Sequence, residues 1–96
     1  MHVISRKILR QFWAQHHDSE GALSRWFTIM RRHDFTSFEA LRATFPTADK
    51  VRDFVVFNIG GNKYRLIVLI RYDKQTVFVR FIGTHEAYDR IAAETI

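Results

Sequence analysis

"KYRLIVLIRYDKQTVFVRFIGTHEAYDRI", residues 63–91, is the stretch on which the fold turns. Its runs "KYRLIVLIRY" and "TVFVRFI" are rich in β-branched and aromatic side chains and are separated by "DKQ". That is the pattern of two strands joined by a tight turn. With Asp73 and Lys74 as a two-residue turn, Leu69 faces Phe78, Ile67 faces Arg80, Arg65 faces Ile82 and Lys63 faces Thr84. Side chains alternate between the two faces of a sheet. One face then carries Tyr64, Leu66, Val68, Ile70, Val77, Val79 and Phe81, apolar throughout and suited to lie against helices. The other carries Lys63, Arg65, Ile67, Leu69, Arg71, Phe78, Arg80 and Ile82, which mixes cations with apolar and aromatic groups.

Upstream, "FVVFN" ends at "GGN" (residues 60–62), a tight-turn signal that adds a third antiparallel strand. The opening "MHVI" reads as a short strand able to widen the sheet at one edge. Between them the period is helical. Residues 6 to about 16 place Ile8, Leu9, Phe12 and Trp13 on one stripe. A second helix, capped by Asp18 or Ser19, places Ala22, Leu23, Trp26, Phe27 and Met30 on another. "TSFE" has capping-box spacing, Thr36 followed by Glu39, and opens a short helix that finishes before Pro46. A last helix starts near Thr84 and runs to about residue 93. Helices followed by strands predict a single α+β domain over residues 1–96, with the N-terminal helices packed on one face of a small antiparallel sheet and a short C-terminal helix.

Composition narrows the chemistry. There are no cysteines in the 96 residues, which excludes disulfides, thiolate zinc sites and cysteine nucleophiles. The longest wholly apolar run, "LIVLI", is far below the roughly 20 residues of a membrane span. "MHVISRKILRQF" has charges where a secretory signal is hydrophobic, so a soluble cytoplasmic protein with no membrane partner is expected. Fifteen Lys and Arg against ten Asp and Glu give a formal net charge of +5, a balance that favours nucleic acid, ribosomes or an acidic protein. His16, His17 and Asp18 match no zinc spacing, and adjacent His residues on a helix point apart. Neither metal nor cofactor is expected.

The expected register collects a site. Lys63, Arg65 and Arg80 fall at the end of the hairpin from which residues 83–88 leave. Arg71, six residues from Arg65, is about 20 Å away at roughly 3.3 Å per residue and can extend a binding track but not join that centre. Gly83 permits a sharp exit and Thr84 can cap the last helix, on which His85, Tyr88 and Asp89 are spaced i, i+3 and i+4 and share a face. Imidazole and phenol at the rim of a cationic sheet suit RNA cleavage: a base takes the 2′-OH proton, cations stabilise the phosphorane, and an acid protonates the departing 5′ oxygen. Asp89 is the member better suited to anchoring a neighbouring group than to proton transfer.

The segments "HVISRKILRQFW", "VVFNIGGNKYRLIVLIRY" and "VFVRFIGTHEAYDRI", with the bridging "FPTADKV", resemble the HigB toxins of bacterial toxin–antitoxin pairs, within the RelE/ParE superfamily. The likeness covers nearly the whole chain. It departs at Glu86-Ala87, where the family usually reads Ala-Glu, and leaves His85, Tyr88 and Asp89 in place. The resemblance implies a RelE-like fold and a metal-independent endoribonuclease acting on mRNA at the ribosome. It also implies inhibition by a helix-turn-helix HigA-like antitoxin, with DNA met only through that partner. On the same resemblance Lys63, Arg65 and Arg80 match phosphate-binding strand positions, and His85 and Tyr88 match the acid–base position without saying which is acid. Arg71 and Asp89 are expected as flanking substrate-binding residues. Two other readings compete: a ParE-like, non-enzymatic gyrase poison, and a passive RNA- or ribosome-binding module.

Overall fold

The apolar face of the C-terminal hairpin is the surface on which the helices pack. The computed structural model describes residues 1–91. Its elements are β1 (His2–Ile4), α1 (Arg6–Gln15), a 3-10 turn at His17–Ser19, α2 (Glu20–Arg32), α3 (Phe38–Thr44), β2 (Asp49–Val51), β3 (Phe54–Ile59), β4 (Tyr64–Arg71), a 3-10 turn at Tyr72–Lys74, β5 (Thr76–Thr84) and α4 (His85–Asp89). They form an α+β fold around a five-stranded sheet of order β1-β5-β4-β3-β2. Leu9, Leu23, Met30 and Leu41 from the helices meet Leu66, Val68 and Val77 from the sheet, all wholly buried. Each such side chain contributes roughly 1.5–3 kcal/mol relative to exposure.

Three features depart from the expected arrangement. The sheet is mixed, because β1 lies parallel to β5, and it has a further edge strand, β2, inside "FPTADKVRD". A helix cap also shifts. Ser37, not Thr36, caps α3 by accepting from the Ala40 amide at 3.1 Å, and Ser19 holds the N-cap position of α2 as expected, although its hydroxyl donates to the His16 carbonyl. Thr84 caps α4 as expected, accepting from the Ala87 amide at 3.1 Å. That helix ends at Asp89, and residues 92–93, expected to be helical, lie outside the described residues.

The third departure matters most for the site. The turn is not the two-residue Asp73–Lys74: the connection runs from Tyr72 to Gln75, whose φ is +50°. It is centred on the same point, so Leu69 still pairs with Phe78 and Val68 with Val79. The register then shifts by one between Val68 and Ile67, and Ile67 pairs with Phe81, Arg65 with Gly83 and Tyr64 with Thr84. Arg80 is the extra residue, a β-bulge, and beyond it every side chain of β5 changes face. Ile82 therefore joins the helical core, and Phe81 turns to the opposite side against Val56 and Ile67.

Phe81 now lies over its neighbour but one. A Cβ built on Gly83 would sit 2.5 Å from Cζ of the Phe81 ring. Glycine is needed there for that close approach. We expect Gly83→Ala to displace the ring at a cost of roughly 1–3 kcal/mol, seen as a lower urea midpoint with unchanged slope. A midpoint equal to the parent's would mean the ring has room to move.

Candidate active site

The outer face of the sheet would ordinarily meet water. Here Val56 and Ile67 are buried on it beneath Phe54, Phe81, Tyr88 and Ile91. α4 is thus folded back over the end of the sheet, its Tyr88 ring held by apolar contact. A backbone hydrogen bond fixes its first residue, the His85 amide donating to the Lys63 carbonyl at 3.1 Å.

These two attachments bring Arg65, His85, Tyr88 and Asp89 together. Nη2 of Arg65 lies 2.9 Å from Nε2 of His85. A guanidinium has no acceptor, so Arg65 donates and Nε2 carries its lone pair. The proton is then on Nδ1, which donates to Oδ2 of Asp89 at 3.1 Å. The imidazole in this arrangement is neutral, with its tautomer set from both sides. Cζ of Arg65 also lies 5.6 Å from the centroid of the Tyr88 ring, within cation–π range. His85 remains open to solvent, its side chain 43% exposed.

The remaining candidates lie apart from this cluster. Lys63 precedes β4, so strand alternation does not fix its direction, and its ammonium pairs with Asp18 at the α1–α2 junction. The Tyr64 hydroxyl donates to the other oxygen of the same carboxylate at 2.6 Å. Lys63 therefore contributes its carbonyl, not its charge, to the placement of His85. Arg71 is tied to Asp73 at 3.4 Å, at the opposite end of the hairpin. Arg80, the bulge residue, is exposed and has no ion-pair partner among the described residues.

Sequence reasoning did not single out Arg42, Asp49 and Asn58, which with Arg65 and Tyr88 line a recess of about 300 Å³. Asn58 had a signal, since alternation from Phe54 and Val56 places this polar residue on the outer face, opposite Arg65. Asp18 had none, because its partner is 45 residues away.

The family described as "HigB_toxin, RelE-like toxic component of a toxin-antitoxin system" matches residues 19–91. The chain belongs to the HigB toxin family. The "mRNA interferase toxin HigB" of Escherichia coli K12 is 32% identical over 99 positions, spanning 97% of this chain and 92% of that protein. The "mRNA interferase HigB" of Shigella flexneri shows the same identity and coverage, and that of Escherichia coli O6:H1 is 28% identical over 95% of the chain and 91% of its own length. The segment matched by the HigB family model includes β2 to β5 and α4, hence every member of the Arg65 cluster. As a toxin component of a toxin–antitoxin system, the chain has an antitoxin as its partner. Among the described residues no helix is long and apolar enough to cross a membrane.

The Asp18 network gives a pH signature. Hydrogen bonds from Lys63 and then Tyr64 hold the Asp18 carboxyl below its ordinary 3.8. The bond to Asp18 raises the Lys63 ammonium above 10.5 and the Tyr64 phenol above 10.0. The depressed acid stabilises the fold above 3.8, and that contribution is lost as pH falls through its lowered value. The raised Lys and Tyr stabilise it below 10.0, and that contribution is lost as pH rises through their raised values. We expect the stability gap between the parent and Asp18→Asn to be greatest between 3.8 and 10.0 and to close at both extremes. Urea unfolding at acidic, neutral and alkaline pH measures it, and a pH-independent gap would contradict the network.

Proposed function

We propose that this toxin is an endoribonuclease that cleaves mRNA at the Arg65–His85–Tyr88–Asp89 cluster, without a metal ion, on the ribosome in the cytoplasm. The relatives named mRNA interferases support the reaction class. The observation that carries the site is the 2.9 Å contact between Arg65 and the unprotonated Nε2 of His85. An RNA phosphate offers Arg65 a charged, bidentate acceptor, stronger than a neutral ring nitrogen. As the guanidinium transfers to the phosphate, Nε2 is released to take the proton of the ribose 2′-OH. Asp89 keeps Nδ1–H oriented and stabilises the imidazolium that forms.

The 2′ oxygen then bonds to phosphorus while the bond from phosphorus to the 5′ oxygen breaks. The departing oxygen takes the proton of the Tyr88 phenol, leaving a 2′,3′-cyclic phosphate and a free 5′-OH. Arg65 stabilises the developing phosphorane charge, where a preorganised cation acts most strongly, and in this reading the exposed Arg80 assists it from β5 once substrate is bound. The +5 net charge suits a polyanionic ribosome, and a HigA-like helix-turn-helix protein, which alone would meet DNA, is the antitoxin this reading assigns.

Induction in bacteria is expected to arrest growth and to leave mRNA fragments with cyclic phosphate and 5′-OH ends, formed equally in the presence of a chelator. His85→Ala should slow cleavage by about 10²–10⁴-fold, and His85→Ala with Arg80→Ala should relieve the arrest while circular dichroism stays unchanged. A double variant as toxic as the parent would remove His85 and Arg80 from the active site. Gyrase-dependent DNA breaks with intact mRNA would replace the nuclease by a gyrase poison. RNA binding without cleavage on translating ribosomes would leave a passive binding module.

A further inference from the structure

Beside the Arg65 cluster part of the outer face of the sheet is not covered by any of the described residues. β2 begins its pairing at Asp49 opposite Val56, whereas β3 continues through Asn58 to Ile59. Past Val56, β3 therefore has no strand on its β2 side among the described residues, and Asn58, paired with Arg65 on the other side, borders the recess there. The chain before β2 forms the far wall, held by Arg42, which donates to the Pro46 carbonyl at 3.3 Å. The result is the recess of about 300 Å³ that Arg65 and Tyr88 share with Arg42, Asp49 and Asn58.

Its chemistry is unsatisfied. Oδ1 of Asn58 and Nε of Arg65, on directly opposed residues of β3 and β4, are both buried without a hydrogen-bond partner among the described residues. Native proteins keep few such groups, and those they keep call for a specific explanation. A half-turn of the Asn58 amide exchanges its acceptor and donor ends, so the side chain can turn either toward a bound group. Asp49, an acceptor only, also lines the recess, and its Oδ1 is engaged by the Lys50 amide at 3.0 Å.

We infer that this recess is a base-reading subsite, which takes the base next to the phosphate held by Arg65 and prefers one with an exocyclic amino group over uracil. The inference rests on the nuclease reading for its ligand, a single-stranded RNA. Two acceptors, Asn58 Oδ1 and the Asp49 carboxylate, match the N–H groups of an amino-bearing base edge. Uracil offers them a single N–H flanked by two carbonyl oxygens, which repel the second acceptor. Sharing of Arg65 and Tyr88 with the reacting cluster couples the choice of base to the position of the scissile phosphate.

The test measures binding and cleavage separately. Short oligoribonucleotides blocked against cleavage by 2′-O-methyl groups, differing at one base, are titrated by fluorescence anisotropy. The parent should bind amino-bearing bases at one position about tenfold more tightly than uracil, the discrimination one hydrogen-bonded base edge supplies. Asn58→Ala should bring all bases to the uracil level, and Asp49→Ala, an exposed change, should reduce the same preference if the first variant folds poorly. In cells the cut sites of Asn58→Ala should spread to uracil at that position. A parent-like base profile in both variants overturns the subsite, as does an equal loss for every base, which would make Asn58 a mere support for Arg65. Base preference lost in Asn58→Ala, from a parent that cleaves nothing, would sink the nuclease reading and keep the recess. A parent that binds no RNA would sink both.

Discussion

One extra residue in β5 determines how the site is assembled. If β4 and β5 kept a single register, Phe81 would enter the helical core and Ile82 would face outward. The bulge at Arg80 reverses both, placing Ile82 in the main core and the Phe81 ring on the outer face. An antiparallel sheet commonly leaves one face to water. Here the displaced ring completes a small apolar cluster with Val56, Ile67 and Tyr88, and that cluster gives α4 something to pack against. The chemistry of His85 and Arg65 thus depends on an interaction that is purely apolar.

The bulge also explains why Arg80 is exposed and without an ion-pair partner among the described residues. A bulged residue leaves the ladder, and its side chain is not bound to the alternation of either face. In the same stretch Gly83 pairs with Arg65 and lies beneath the Phe81 ring, so no Cβ stands between the ring and the strand. The same irregularity therefore frees a cation, turns a ring outward and requires a glycine.

Whatever depended on local pattern was legible in the sequence. The stripes of α1 and α2, the meander from "FVVFN" onward and the Thr84 cap each need only a few neighbouring residues. So does the shared face of His85, Tyr88 and Asp89, which are one turn of helix. What the sequence concealed was non-local or compositionally silent. A single inserted residue changes neither hydrophobicity nor β-propensity, so the uniform register misassigned Phe81 and Ile82 and the partner of Arg65. β2 is three residues long and mostly polar, and its pairing with β3 has no periodic signal. Lys63 read as a rim cation because alternation was extended one residue past the strand, while the carboxylate that claims it lies on another element.

The distribution of charge among these cations bears on how substrate is admitted. Asp18 neutralises Lys63 and Asp73 neutralises Arg71, so an incoming phosphate would compete with a carboxylate at either place. Arg65 differs, since its hydrogen-bond partner is the lone pair of a neutral imidazole. Asp89 accepts a hydrogen bond from the other nitrogen of that ring and makes no ion pair with the guanidinium. Exchange of imidazole for phosphate at Arg65 breaks no salt bridge among the described residues, and it exposes the nitrogen that the proposed reaction needs as its base. Binding of the phosphate and release of the base then become one movement, which keeps the lone pair covered until a substrate is present.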